Sequence, residues 1–205
     1  IQCTIKTCRS ELSKVGQSEN PATLRGLEGS ISKKYFSVVR HNILPDWADF
    51  KTRSQHPPKS NVNAVLSFLY GLLGNYVESA ALSFSLDTML GNFHVCEYGN
   101  LSLVYDLMEE FRTPLCDTVC CSIFNMLVLN PEDFENVGDG AVYLVNSALK
   151  KVVREFERKL NDVIYYRPEK CHLTYKEIIF EQMKKYRNVI EEKAERYEPF
   201  IAPIQ

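Results

Sequence analysis

Strand signals are nearly absent from this 205-residue chain, and so are the features that would put it in a special class. Its cysteines number seven, at positions 3, 8, 96, 116, 120, 121 and 171, and no two form a Cys-x-x-Cys pair. Neither a disulfide framework nor a cysteine zinc site is expected. The thiols read as reduced, mostly small core residues of a cytoplasmic protein. The longest apolar run, Ala64 to Leu73, is broken by Ser67 and falls well short of the roughly 18 residues a membrane span needs. No signal peptide is visible, so no membrane role is expected. Repeats and low-complexity tracts are missing, and 45% hydrophobic against 24% charged residues excludes a disordered chain. An excess of positive charge is also lacking. Lys and Arg number 24 against 26 Asp and Glu, for a net charge of -2, which excludes a surface coated with basic residues; any DNA contact must be local. The chain opens on Ile1 rather than Met, from which a missing upstream segment is expected.

What is present is helical periodicity in block after block, which reads as an all-α, multi-helix domain. A chain of this length buries roughly 70% of its unfolded surface, enough for a core without staples. We expect one domain over 1–205: a leading helix and linker over 1–20, a site-bearing core over 21–129, a loop over 130–140, and C-terminal helices over 141–205. The first helix runs from about Ile1 to Val15 and ends at Gly16. Asn20 before Pro21 is an N-cap with proline in the first turn, opening a helix whose stripe is Leu24, Leu27, Ile31, Tyr35 and Val38 and which closes near His41. A loop follows from Ile43 to Asn61, carrying Trp47, Phe50, Arg53 and the Pro57-Pro58 pair. Val62 to about Phe84 is apolar on nearly every face and reads as a central helix. Then come a short helix ending near His94, one from about Leu101 to Phe111, and one from about Leu115 to Leu129. Two long charged helices, about Ala141 to Val163 and Tyr175 to Tyr197, complete the reading.

The near-neutral total hides two opposed regions. Lys33, Lys34, Arg40, Lys51, Arg53 and Lys59 face only Asp46 and Asp49 between positions 33 and 59, while seven acids face only Arg112 between 78 and 117. Particular acids fall at apolar positions. Glu28 stands between Leu24 and Ile31 on its own helix, and Asp106 and Glu109, three apart, share a face among apolar neighbours. Burying uncompensated carboxylates costs several kcal/mol each or forces protonation. A bound cation would remove that cost, and His94 would add a nitrogen ligand. Carboxylates with an imidazole suit manganese, with magnesium as the alternative. The same residues also read otherwise: His94 as a hydrogen-bonded core residue, Glu28 paired with Arg53 or Arg112, Asp106 and Glu109 as plain surface. Spacing alone does not bring position 28 beside position 109.

The motifs say more. Leu24-Arg25-Gly26-Leu27-Glu28-Gly29-Ser30 with Tyr35-Phe36 resembles the glutamate motif of the CRISPR-associated integrase family. Arg53, Pro57-Pro58, Val62-Asn63-Ala64-Val65-Leu66-Ser67-Phe68 and Tyr70 resemble its next block. Leu86-Asp87, Leu90-Gly91 and Phe93-His94 resemble its histidine motif, and Ser102-Leu103, Asp106 to Arg112 and Asp117 its acidic motif. Tyr197-Glu198-Pro199-Phe200 resembles the closing motif. The matches run in order from Gly26 to Phe200. Three positions depart from the family pattern: Ser60-Asn61 for Asp-Pro, Thr88-Met89 for Pro-Tyr, and Lys176 for arginine.

The resemblance implies the family's helical catalytic domain, without the N-terminal β-domain that mediates dimerisation. It implies Glu28, His94 and Glu109 as ligands of Mn²⁺ or Mg²⁺, with Asp106 as an accessory catalytic acid. The activity implied is that of a DNA endonuclease and integrase of a prokaryotic cytoplasm, joining prespacer 3′-hydroxyl ends to CRISPR repeat DNA by transesterification. Lys33, Lys34, Arg40, Arg53 and Lys59 would meet DNA phosphates, with Lys184, Lys185 and Arg187 as helpers or as a solvated helix face. Trp47, Tyr35 and Phe36 would pack in the core or wedge at a splayed end. Implied partners are DNA, a small ferredoxin-like integration subunit, and a second copy of the full-length protein. The alternatives are a transposon-type integrase of the same family, and a non-catalytic helical binding or scaffold domain of a larger fusion, for example with a reverse transcriptase.

Overall fold

The computed structural model describes residues 2–15 and 20–203, with side chains from residue 7 onward. The expected helix end at Gly16 and the Cys3 thiol lie outside the described residues. The described residues form seven α-helices and two β-hairpins, in order: α1 (Gln2–Val15), α2 (Pro21–Val39), α3 (Asn61–Ser83), α4 (Ser102–Phe111), α5 (Thr118–Asn125), β1 (Phe134–Val137), β2 (Ala141–Leu144), α6 (Asn146–Leu160), β3 (Val163–Tyr166), β4 (Cys171–Thr174) and α7 (Tyr175–Ile190). The chain is mainly helical, as its periodicity indicates.

The Asn20 side chain accepts the Ala22 N–H at 2.9 Å with Pro21 in the first turn, the capping that supplies an acceptor where the helix has none. On α2 only Phe36 and Val39 are buried. The helix therefore plugs into the core by its C-terminal turn, and its first half, with Glu28, stands at the edge against α1. The expected stripe is only partly covered for that reason.

Ser60 caps α3 by accepting the Asn63 N–H at 3.3 Å. By length and composition α3 would suffice to cross a membrane. Here Val62, Val65, Leu66, Leu69, Leu73 and Val77 are 0% exposed, and α4, α5, α6, α7 and β2 pack around it. It is the spine of the domain.

Between α4 and α5 the chain does not break. Residues Arg112–Asp117 form a π-helical turn. Pro114 has no N–H to continue the ladder and crowds the preceding turn, and the wider turn relieves this by inserting an extra residue.

Three expectations are corrected. Residues 84–101 contain no helix, so His94 sits in irregular chain. The helix expected from Ala141 begins at Asn146, because Phe134–Val137 and Ala141–Leu144 pair antiparallel, Phe134 opposite Leu144, around Gly138, Asp139 and Gly140. Likewise Val163–Tyr166 pairs with Cys171–Thr174 around Pro168, and the last helix stops at Ile190. Four-residue strands show only two alternations each, too few to stand out against helical periodicity. The tail after α7 folds back, and Phe200 stacks on Phe111 with ring centroids 5.4 Å apart.

Candidate active site

One cleft of about 640 Å³ receives side chains from four segments: Glu28 from α2, Tyr70 from α3, His94 from the irregular segment, and Glu109 from α4, with Arg53 and Arg112 beside them. The sequence explains the α4 contribution. Leu103, Leu107 and Phe111 are buried, which leaves Glu109 on the flank that lines the cleft with Val104 and Met108, and Asp106, one turn earlier, beside it against the histidine segment.

Asp106 organises the histidine segment. Its Oδ2 accepts the N–H of Asn92 at 2.6 Å and of Phe93 at 3.0 Å; its Oδ1 accepts the N–H of His94 at 3.0 Å and lies 2.7 Å from His94 Nδ1. Burial pushes the Asp106 carboxyl up, but the donors from Phe93, His94 and Asn92 outweigh it and hold the group below its ordinary range. A carboxylate at Nδ1 selects the tautomer protonated there and leaves Nε2 as the electron-pair donor. Tyr105 braces the ring edge-on at 5.7 Å.

Glu109 is less settled. Burial in the cleft pushes its carboxyl above the ordinary range, Arg112 pulls it down, and Glu28 pushes it up again. Arg112 forms an ion pair with it. Glu28 is exposed, contrary to the buried position expected from its neighbours. As the side chains stand, no three His, Cys, Asp or Glu residues among the described residues come close enough to hold an ion. Glu28, His94 and Glu109 thus share one cleft without closing into a ligand shell. Arg112 neutralises Glu109, and Glu28 sits on the less buried half of α2. The donor set itself fits a divalent cation: two carboxylates, one of them electrostatically strained, and an imidazole whose Nδ1 is tied to a carboxylate, the arrangement that metal-binding histidines use.

The arginines are held by residues that sequence reasoning left in the background. Asn63, 2% exposed, receives Arg53 Nη1 at 3.1 Å and the Ser54 N–H at 2.9 Å on its oxygen, and donates to the Thr52 carbonyl at 2.9 Å. Arg53 also donates to Ser67 Oγ at 3.2 Å and lies 5.2 Å from the centre of the Tyr70 ring. Arg112 lies 4.6 Å from the same ring. Below them Asp117, 4% exposed, accepts Tyr35 OH and Tyr70 OH, each at 2.7 Å. Asp117 is visible as an acid in the motif, but nothing in spacing tells that tyrosines 82 and 47 residues away close on it.

The expected phosphate contacts fall into two groups. Lys33, Arg40 and Lys59 are exposed. Lys34 is ion-paired with Glu11 of α1, and Arg53 is fixed inside the cleft. In α7, Lys184 pairs with Glu181, Arg187 with Glu191, and Lys185 donates to Tyr166 OH at 2.6 Å. Trp47 packs on Phe124 and Phe134, and Phe36 against Tyr35 and Phe50; both serve the core.

Comparison with known proteins agrees with the fold. The CRISPR-associated endonuclease Cas1 3 of Thermus thermophilus is 35% identical over 192 residues, 94% of this chain and 57% of that protein. A casposase bound to integration product matches with a TM-score of 0.87 at 25% identity, over 92% of this chain and 53% of that one. A Cas6-RT-Cas1–Cas2 complex matches in fold, with a TM-score of 0.84 at 23% identity over 97% of this chain and 21% of that one. The chain therefore spans little more than half the length of that Thermus relative. The family model for CRISPR associated protein Cas1 matches residues 1–158, the stretch that carries Glu28, His94, Asp106 and Glu109, and the chain belongs to the Cas1 family.

Proposed function

We propose that this chain is the catalytic part of a divalent-metal-dependent DNA integrase, which joins a 3′-hydroxyl DNA end to repeat DNA by transesterification during spacer acquisition. The observation that carries this reading is the Asp106–His94 pairing at the edge of a cleft that also receives Glu28 and Glu109. Glu28, Glu109 and His94 Nε2 would hold Mn²⁺ or Mg²⁺. Such an ion supplies Lewis-acid stabilisation of phosphate charge and lowers the pKa of the attacking hydroxyl.

In the reaction the 3′-hydroxyl gives up its proton as its oxygen bonds to phosphorus, the bond from phosphorus to another 3′ oxygen breaks, and that oxygen takes up a proton. The protein's part is positioning and charge. Asp106 keeps Nε2 of His94 turned outward. Arg112 exchanges Glu109 for a phosphate oxygen as DNA enters, which frees the carboxylate and neutralises the incoming anion. Arg53, held by Asn63 and Ser67, offers a second guanidinium. Lys33, Arg40 and Lys59 contact the backbone without reading bases. The partners proposed are prespacer and repeat DNA, a small ferredoxin-like subunit, and a second copy of the full-length protein; the fold match to a Cas6-RT-Cas1–Cas2 complex supports a reverse-transcriptase fusion context. The likeness to a casposase favours a second reading, insertion of transposon ends by the same site.

His94→Ala is expected to abolish joining of 3′ ends to repeat-containing DNA while circular dichroism stays unchanged. Joining at the unaltered rate in manganese would overturn the assignment. Joining of transposon ends in preference to prespacers onto repeat-free target DNA would favour the second reading.

A further inference from the structure

Tyr35 and Glu28 are seven residues apart on α2, two turns and therefore on one side of the helix. Tyr35 spans to Asp117, the last residue of the π-helical turn in the helical run that began at Ser102 and that carries Asp106, Glu109 and Arg112. The other oxygen of Asp117 takes Tyr70, whose ring lies against Arg112, and Arg112 in turn is ion-paired with Glu109. One buried carboxylate is thus linked to Glu28 through Tyr35 and to Glu109 through Tyr70 and Arg112. The tether matters because, among the described residues, α2 is otherwise held at its exposed half by α1, through Lys34 and Glu11, and by Arg25 on the Phe93 carbonyl. Its buried residues are Phe36 and Val39 alone, both beyond Tyr35. On the open side a second cleft of about 550 Å³, edged by Leu24, Ile31 and Leu12, runs between α1, α2 and the core up to Glu28 and Glu109. The first half of α2 has no buried residue, so its distance from α4 depends on a few polar holds, the Arg25 bond to the Phe93 carbonyl at 3.1 Å and the Tyr35 bond to Asp117 among them.

We propose that Asp117 is a positioning residue: by gripping Tyr35 and Tyr70 it sets how closely Glu28 of α2 approaches Glu109 and His94 across the cleft. Burial pushes the Asp117 carboxyl up against the pull of the two phenols and Arg112. A group kept under that cost, with both oxygens committed to two helices, is spent on geometry rather than surface charge. The π-helical turn places it there, since the extra residue rotates position 117 inward.

This inference rests on the metal-site reading of the cleft, and the experiment separates the two. Mn²⁺ uptake by the chain is measured by calorimetry for wild type, Glu28→Gln, Tyr35→Phe, and the double variant, with amide exchange in α2 followed in parallel. Tyr35→Phe keeps the ring and removes the hydroxyl that bonds Asp117. It is expected to weaken Mn²⁺ binding about tenfold, the low end for a group that orients a ligand, and to speed exchange in residues 24–35. In the Glu28→Gln background it should cause no further loss. If wild type takes up no Mn²⁺, the metal reading falls and the inference with it. If Glu28→Gln weakens uptake but Tyr35→Phe does not, or costs the same in both backgrounds, the inference alone is overturned.

Discussion

Oδ1 of Asp106 meets both the ring and the backbone of His94, at 2.7 Å from Nδ1 and 3.0 Å from the amide nitrogen. A single atom therefore determines where the residue is and which way its ring faces. Irregular chain ordinarily holds a side chain loosely; here a helix carboxylate lends the segment its rigidity.

Asp106→Asn is expected to preserve the fold and cut strand joining by roughly 10- to 100-fold, the usual cost of losing a carboxylate that orients a histidine ligand. An amide oxygen can keep the two donors that one carboxylate oxygen takes, but its NH₂ then faces the donors of the other. Joining rates measured with manganese varied over a wide range check this, because a loss that excess metal partly restores points to ligand orientation.

Gly91 admits no side chain. A Cβ there would stand 2.7 Å from the Ser102 backbone carbon and 2.8 Å from Asp106 Oδ2. Gly91→Ala must therefore push the segment off the start of α4, with a stability loss of about 1–3 kcal/mol typical of overpacking. Urea unfolding checks the stability, and the His94 ring signals in NMR should shift as the Asp106 contact loosens.

Glu110 gives a pH signature separate from the cleft. It accepts Tyr197 OH, the Phe200 N–H at 2.6 Å and Gln182 Nε2 at 2.8 Å, clamping the tail onto α4. Burial nevertheless wins over these donors and raises its carboxyl above the ordinary value of 4.5. A raised folded-state value means the folded form holds the proton more tightly. Its contribution to stability is present below pH 4.5 and is lost as pH rises through the folded-state value. The stability of wild type relative to Glu110→Gln should accordingly fall between acid and neutral pH. Thermal unfolding of both proteins across that range checks the sign, and a difference that grows with pH would contradict it.

Lys33 and Lys34 are neighbours with different prospects. Lys33 is exposed, whereas Lys34 is engaged by Glu11. Lys33→Ala is expected to weaken DNA binding uniformly across sequences and lower the salt slope by about one. Lys34→Ala should change the slope less, since that ammonium is already neutralised. Binding titrations at several salt concentrations distinguish the two.

Much of the architecture was legible in the order of residues because it rests on local rules. Asn20-Pro21 starts α2 at the expected place, and the all-round apolar stretch after Ser60 is the central helix. The hairpins were not legible. Phe134–Val137 and Val163–Tyr166 are each four residues long, and their pairing is set by chain brought back from a turn. The same division runs through the site. Glu28, His94, Asp106 and Glu109 could be singled out as residue types that need partners. That His94 leans on Asp106 rather than ending a helix, and that Arg112 takes Glu109 rather than Glu28, depend on which segments meet.

By itself the sequence determined the helical class, the Asn20 cap of α2 and the acids and imidazole that need partners, because these follow from periodicity and side-chain chemistry within a turn or two. Only the tertiary structure decided that Tyr35, Tyr70 and Asp117 close on one another and that Glu28 stands exposed on the less buried half of its helix. Contacts between residues 47 and 82 positions apart come from packing around α3, and no local preference encodes them.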